Sequence, residues 1–150
     1  MSKRIDIVSG FYADFDEDSR VDATRQGQLE YLTTMEYIHR HAPAGGKLLE
    51  VGAGTGRYSI ALAREGFRVT ALELVPHNLE ILLEKGADVA NLEAHQGDAL
   101  DLSRFPDDTF DMVINRHGDF NPAEIRRVLK KGGVFITQQV GADNDRDLVE

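Results

Sequence analysis

The residue types and spacing most able to do chemistry lie in the run Glu50-Val-Gly-Ala-Gly-Thr-Gly56, together with Glu73 twenty-one residues beyond Gly52. Alternating glycines allow a sharp strand-to-helix turn and let a ligand lie against bare backbone. A dinucleotide fingerprint, G-x-G-x-x-G, needs its third glycine at position 57, and this chain has Arg57 there. A bulky side chain at 57 would crowd the close helix–strand contact that this glycine permits. Glu50, just ahead of the turn, would repel a pyrophosphate but attract a sulfonium or an α-amino group. Its plain alternative is a strand-end carboxylate satisfied by backbone amides. Glu73 falls where an acid can take both hydroxyls of a ribose; an isolated strand-end Glu is otherwise ordinary surface polarity. In Gln96-Gly97-Asp98-Ala99, Asp98 either accepts from an adenine amino group or makes a simple turn, a frequent role of Gly-Asp pairs.

The elements that must position these residues follow from the apolar pattern. Residues 25–40 read as a helix with Leu29, Leu32, Met35 and Ile38 on its apolar face, ended by Pro43 and the Gly45-Gly46 pair. Lys47–Val51 is a short apolar strand running into the glycines, and Arg57–Arg64 is a helix closed by Gly66. Arg68–Leu74 is a second strand. The next helix opens at Pro76, carries Leu79, Leu82 and Leu83 on one face, and is capped by Gly86. Asn91–His95 is a third strand and Phe110–Asn115 a fourth. A helix from Pro122 is expected to stop at Gly132-Gly133, with a fifth strand over 134–140. Strands alternating with helices define an α/β, doubly wound, mostly parallel sheet with helices on both faces, whose ligands lie at the carboxyl ends of the strands.

Bulk properties narrow the partners. With 150 residues the chain is expected to form a single domain: an N-terminal helix and lid over 1–44, an α/β core over 45–140 and a tail over 141–150. The absence of cysteine excludes disulfides and thiolate metal sites. No apolar run reaches membrane-spanning length and no signal-peptide core follows the N-terminus, so the expected setting is cytoplasmic, with no membrane partner. A net charge of −9 argues against a nucleic-acid partner, which needs a basic surface. Arg126, Arg127, Lys130 and Lys131 read as the solvated face of a helix end. Asp14, Asp16 and Asp18 have the spacing of a calcium loop, but Ser19 and Arg25 stand where that loop needs Gly and Glu. His39 and His41 do not share a helix face. No metal is expected.

Together these motifs resemble the class I S-adenosylmethionine-dependent methyltransferases of the small-molecule type, over roughly residues 47–140. Leu48-Leu-Glu-Val-Gly-Ala-Gly-Thr-Gly-Arg-Tyr58 is similar to the family's first motif. Glu73 falls at its ribose-binding acid and Gly97-Asp98-Ala99 at its adenine motif. Phe105–Ile114 and Arg127–Ile136 resemble its fourth strand and the helix–strand that follows. The resemblance implies a Rossmann-like core with S-adenosylmethionine as cofactor and S-adenosylhomocysteine as product. Gly52, Ala53, Gly54 and Gly56 would run along the methionine and ribose, and Glu50 would face the amino group. Glu73 would hold the ribose, Leu74 would pack on the adenine, and Asp98 with the Ala99 amide would read the adenine edge. Asn115 would line the methyl-donor side. Tyr12, Gln28 and Tyr31 fall in a segment similar to the family's lid. His117, just past the fourth strand, is the candidate base, since its ordinary pKa suits proton transfer near neutrality.

The family's sheet normally ends in a two-strand hairpin, and only ten residues follow Val140. The expectation is therefore a core cut short after the fifth strand, lacking that hairpin. Its exposed edge is one that a second copy would cover in a homodimer. The leading function is methyl transfer to a small-molecule acceptor by direct displacement. The alternatives are a cofactor-binding module without turnover and, disfavoured by Arg57 and Glu50, an NAD-dependent oxidoreductase.

Overall fold

The computed structural model describes residues 25–116 and 118–138. Its elements in chain order are α1 (Arg25–His41), β1 (Lys47–Val51), α2 (Arg57–Arg64), β2 (Arg68–Glu73), α3 (Pro76–Lys85), β3 (Leu92–Gln96), β4 (Phe110–Asn115), α4 (Pro122–Val128) and β5 (Leu129–Thr137). The five strands form one sheet in the order β3-β2-β1-β4-β5, and every pairing is parallel. The chain winds from β1 out to β3, returns beside β1 as β4 and continues to β5. The expected doubly wound α/β class is therefore the observed one. The reversal beside β1 places the glycine turn at the switch point, where such sheets open a crevice.

Both sheet faces are dry. Met35, Ile38, Leu48, Leu62, Leu82 and Met112 share one core with α1, α2 and α3. Leu49, Val51, Phe105, Phe110, Ile125 and Phe135 form the other, beneath α4. The central strands β1, β2 and β4 are accordingly near-continuous apolar runs rather than alternating ones, as expected of strands covered on both sides.

Three sequence expectations are corrected here. Leu29 and Leu32 are 59% and 62% exposed, while Met35 and Ile38 are buried. A spacing of three falls short of the 3.6-residue turn by about 60° each time, so Leu29 ends up on the far side of α1 from Ile38. Leu83, turned about 100° from the fully buried Leu82, is half exposed. The glycine pair Gly132-Gly133 does not end α4. That helix stops at Val128, where Leu129 turns extended, and the N–H groups of Asp108 and Thr109 take the carbonyls of Arg127 and Val128. β5 begins at once: Leu129 pairs with Phe110, and the register then jumps so that Val134 pairs with Met112. The two glycines form the bulge between, with Gly132 at φ 83. A Cβ at Gly133 would sit 2.9 Å from the Lys130 carbonyl oxygen and 3.1 Å from that of Asp111.

Lys130 and Lys131 consequently belong to β5, not to a helix end. Arg127 does not face solvent freely either. Its guanidinium donates to the carbonyls of Leu102 and Phe105 and to the carboxylates of Asp107 and Glu124, pinning the loop before β4 onto α4. Among the described residues no helix is long and apolar enough to cross a membrane.

Candidate functional site

The glycine turn is built by backbone that only glycine adopts readily. Gly52, Gly54 and Gly56 have φ of 71, 64 and 94, in the left-handed region that other residues enter at a cost. The N–H groups of Gly52 and Ala53 both donate to the Leu72 carbonyl, at 2.8 and 3.0 Å, which ties the turn to β2. Gly56 precedes α2 with no side-chain cap. A Cβ there would lie 2.2 Å from Leu82 Cδ1. The close helix contact that a dinucleotide fold makes at its third glycine is made here one residue earlier, which is why Arg57 is tolerated.

Glu73 closes the turn from β2. Its Oε1 accepts from the Gly54 N–H at 2.7 Å, and its Oε2 accepts from the Val75 N–H at 3.0 Å and from Asn78 Nδ2 at 3.4 Å. Beside it opens a cavity of about 250 Å³ lined by Gly52, Glu73, Leu74, Asp98, Ala99 and Leu100, among others. Leu74 and Leu100 are exposed apolar side chains on its rim, suited to the two faces of a flat ring. Asp98 is exposed, and its Oδ1 accepts from the Leu100 N–H at 2.9 Å. The turn-forming reading of Asp98 therefore describes one of its oxygens. The cavity is smaller than the roughly 300–1,000 Å³ typical of whole drug-sized ligands, a size suited to the nucleoside half of a cofactor. A larger groove of about 680 Å³ between α4 and β5 shares none of these residues and lies against the Gly132-Gly133 bulge, away from the turn after β1.

Glu50 and Asn115 lie outside that cavity lining. Glu50 is 1% exposed. Its Oε1 accepts from Ser59 Oγ at 2.6 Å, and Arg116 Nε stands 3.5 Å from its Oε2. Asn115, at the end of β4, donates from Nδ2 to the Asp119 carbonyl at 3.2 Å, and its buried Oδ1 has no hydrogen-bond partner among the described residues. Gln28 is exposed on α1. Tyr31 packs its ring on Tyr58 at 5.0 Å, with the Arg57 guanidinium 4.0 Å over it. His39 reaches Glu65 at 2.6 Å and His41 stacks on Tyr37. Tyr12 and His117 lie outside the described residues, as does the segment from 139 on.

Sequence reasoning missed Ser59, Asn78, Tyr58 and Arg116. Tyr58 is buried where α2 meets α1, with the Arg116 guanidinium 4.5 Å over its ring. Burial pushes its phenol up to about 12, against the lowering effects of the Arg116 charge and a hydrogen bond with Thr34. An unfolded tyrosine ionises near about 10. Between these values the native state holds one proton more than the unfolded state, so stability falls as pH rises. Tyr58→Phe removes this linkage. Urea unfolding of both proteins at pH 9 and pH 12 is expected to shift their stability difference by about 2 kcal/mol in favour of the variant. An unchanged difference would mean that Tyr58 titrates normally.

A parallel sheet with a glycine turn after its first strand and a carboxylate ending its second defines a nucleoside-cofactor domain of the doubly wound class. The methyltransferase-domain family matches residues 49–137, and the chain belongs to that family. It is 39% identical over 144 residues to a demethylmenaquinone methyltransferase of Clavibacter sepedonicus, covering 91% of this chain and 56% of the relative. A demethylmenaquinone methyltransferase of Bacillus licheniformis is 31% identical over 140 residues, covering 87% and 59%. The chain thus spans little more than half the length of these relatives. Among solved structures, a protein from Pyrococcus horikoshii OT3 superposes with TM-score 0.66 at 29% identity, covering 78% of this chain and 59% of that one. The glycopeptide N-methyltransferase MtfA complexed with sinefungin gives 0.56 at 27%, covering 70% and 51%.

Proposed function

We propose that this chain binds S-adenosylmethionine and serves methyl transfer to a small-molecule acceptor. The observation that carries the reading is Glu73: a buried carboxylate at the end of β2, fixed by the Gly54 and Val75 amides and lining the cavity it shares with Asp98 and Ala99. That donor and acceptor set suits an adenosine. Glu73 would hold the ribose hydroxyls, Leu74 and Leu100 would sandwich the adenine, and Asp98 with the Ala99 amide would read its edge. Gly52 leaves the turn open to the rest of the cofactor, and Glu50 provides negative charge for its cationic end. Sinefungin, an S-adenosylmethionine analogue, is bound by a structural neighbour, which supports the same ligand class here.

When bound, the cofactor would supply an electrophilic methyl group on a sulfonium, the bond to the acceptor forming as the carbon–sulfur bond breaks and S-adenosylhomocysteine leaves as the thioether. The protein's share is positioning, worth up to about 7–11 kcal/mol when the reacting atoms are held in line. The names of the relatives and the net charge of −9 both favour a small molecule over a nucleic acid as acceptor.

Calorimetric titration of the full chain with S-adenosylhomocysteine is expected to give saturable binding, with a dissociation constant between about 1 µM and 1 mM. NAD is expected to give none. Preference for NAD, or binding of neither ligand by a folded protein, would overturn the proposal.

A further inference from the structure

The cavity beside the glycine turn takes a carboxylate from each of three strand ends. Glu73 closes β2, Asp98 follows β3 and Asp119 follows β4, and all three line it. Among its described lining residues there is no Arg, Lys or His, and the other side chains are apolar. A cleft of one charge sign with apolar walls focuses its field on whatever enters. Two basic groups close in the chain are directed elsewhere: Arg104 donates to the Gln96 carbonyl at 3.1 Å, and Arg116 Nε stands 3.5 Å from Glu50 Oε2. Asp119 is fixed on the cavity wall from both sides. Gly118, at φ 99, makes the turn before it, and Asn115 Nδ2 donates to its carbonyl at 3.2 Å. Beyond it, Phe120 packs on Phe135 with ring centroids 4.9 Å apart, and the Asn121 side chain caps α4.

A second observation points the same way. Nucleotide sites cradle phosphate with the free amides of a glycine turn, and here those amides are spent inside the protein. Gly52 and Ala53 donate to the Leu72 carbonyl, Gly54 to Glu73, and Gly56 to the Ala53 carbonyl at 3.1 Å. We infer that Asp119 is a specificity-determining residue of this cavity: with Glu73 and Asp98 it refuses adenosines that carry a 5′-phosphate and admits those whose 5′ substituent is neutral or cationic. This rests on the proposed cofactor reading. An adenosine held by Glu73 and Asp98 leaves its 5′ substituent inside the field of all three carboxylates. A phosphate there meets repulsion and finds no amide to offset it, whereas a thioether is indifferent to the charge and a sulfonium is attracted. Glu73 and Asp98 have duties toward the ribose and the base, so Asp119 is the member of the three whose charge can be changed without removing a contact to the nucleoside.

The test compares two ligands that differ only at the 5′ position, 5′-methylthioadenosine and adenosine 5′-monophosphate. Both are titrated calorimetrically into the full chain, in EDTA so that no metal ion masks the phosphate. Wild type is expected to bind the thioether at least about tenfold more tightly than the phosphate. Asp119→Asn, which keeps the shape and removes the charge, is expected to narrow that ratio by about fivefold, the size of one charge repulsion at a wetted site. Its affinity for the thioether is expected to stay within about twofold of wild type. Asp119→Lys is expected to narrow the ratio further and to bind the phosphate measurably. Asp88→Asn removes the same charge from the protein outside the cavity and is expected to leave the ratio unchanged. Circular dichroism melting of the variants monitors the fold. A ratio unchanged in Asp119→Asn, an equal shift in Asp88→Asn, or no phosphate binding by Asp119→Lys would each overturn the inference. So would wild type binding both ligands alike. Failure of wild type to bind either ligand would instead overturn the cofactor reading beneath it.

Discussion

Glu73→Ala is expected to lower the affinity for S-adenosylhomocysteine by at least about 100-fold and to destabilise the fold by about 2 kcal/mol. Both effects come from one carboxylate with two duties. On the protein side it accepts from the Gly54 and Val75 amides. Gly54 is buried, so truncation leaves its N–H unsatisfied, a penalty of about 1–3 kcal/mol. On the ligand side, two ribose hydroxyls donating to a carboxylate are worth about 1.5–3 kcal/mol each, and 100-fold in affinity is about 2.7 kcal/mol. Three of the roughly four lone-pair positions are already used, the third by Asn78 at the longer 3.4 Å. A bidentate ribose must therefore displace the Asn78 contact and spare the two amides. Asn78→Ala is accordingly expected to change affinity by less than about threefold, in either direction. Calorimetric titration and urea unfolding of the two variants separate the duties. Wild-type affinity in Glu73→Ala would show that the cavity beside it is not the ribose site.

Those parts of the fold that depend on local pattern were readable from the sequence, and those that depend on partners distant in the chain were not. β1 and α2 are short segments bounded by glycine, and their predicted limits match the observed ones, as do those of the apolar run of β4. Glu73 and the glycine turn are legible because a fixed count of residues separates them. The end of α4 differs from the sequence expectation for a physical reason. Gly132-Gly133 has the composition of a helix stop, but the stop is set by Asp108 and Thr109, whose amides reach the helix carbonyls from the loop before β4. The exposure of Leu29 and Leu32 could have been found from the sequence, by counting angle rather than spacing. Arg116 could not. Read alone it is one more basic residue after a strand, and only the sheet order, which brings β4 beside β1, sets it against Glu50. Electrostatic roles are hidden in this way whenever the two partners are contributed by strands adjacent in the sheet but remote in the chain.

The same dependence on a distant partner gives the largest expected effect on stability. Gly56→Ala is expected to cost about 3–4 kcal/mol, and Leu82→Ala a similar amount, yet the double variant is expected to lose less than the sum. At Gly56 two penalties act. A φ of 94 places any Cβ-bearing residue in left-handed space, at about 1–2 kcal/mol. The new Cβ would also lie 2.2 Å from Leu82 Cδ1, and overpacking of this kind costs about 1–3 kcal/mol. Leu82 is fully buried, so it has no open space to swing into. Leu82→Ala alone removes that methyl group and leaves a cavity, typically costing about 2–5 kcal/mol. Combined, the substitutions relieve the overlap and partly fill the cavity, while the backbone term remains. Urea unfolding of the four proteins is expected to yield a favourable coupling of about 1–3 kcal/mol. Strict additivity would mean that the glycine at 56 is required for backbone conformation alone. The predicted coupling instead makes the fit of Leu82 of α3 against Gly56 the reason that the glycine turn can pack so close to its neighbouring helix. It would also explain why the third glycine of this chain stands one residue earlier than in a dinucleotide fold: the position of closest approach is set by the helix that packs against the turn.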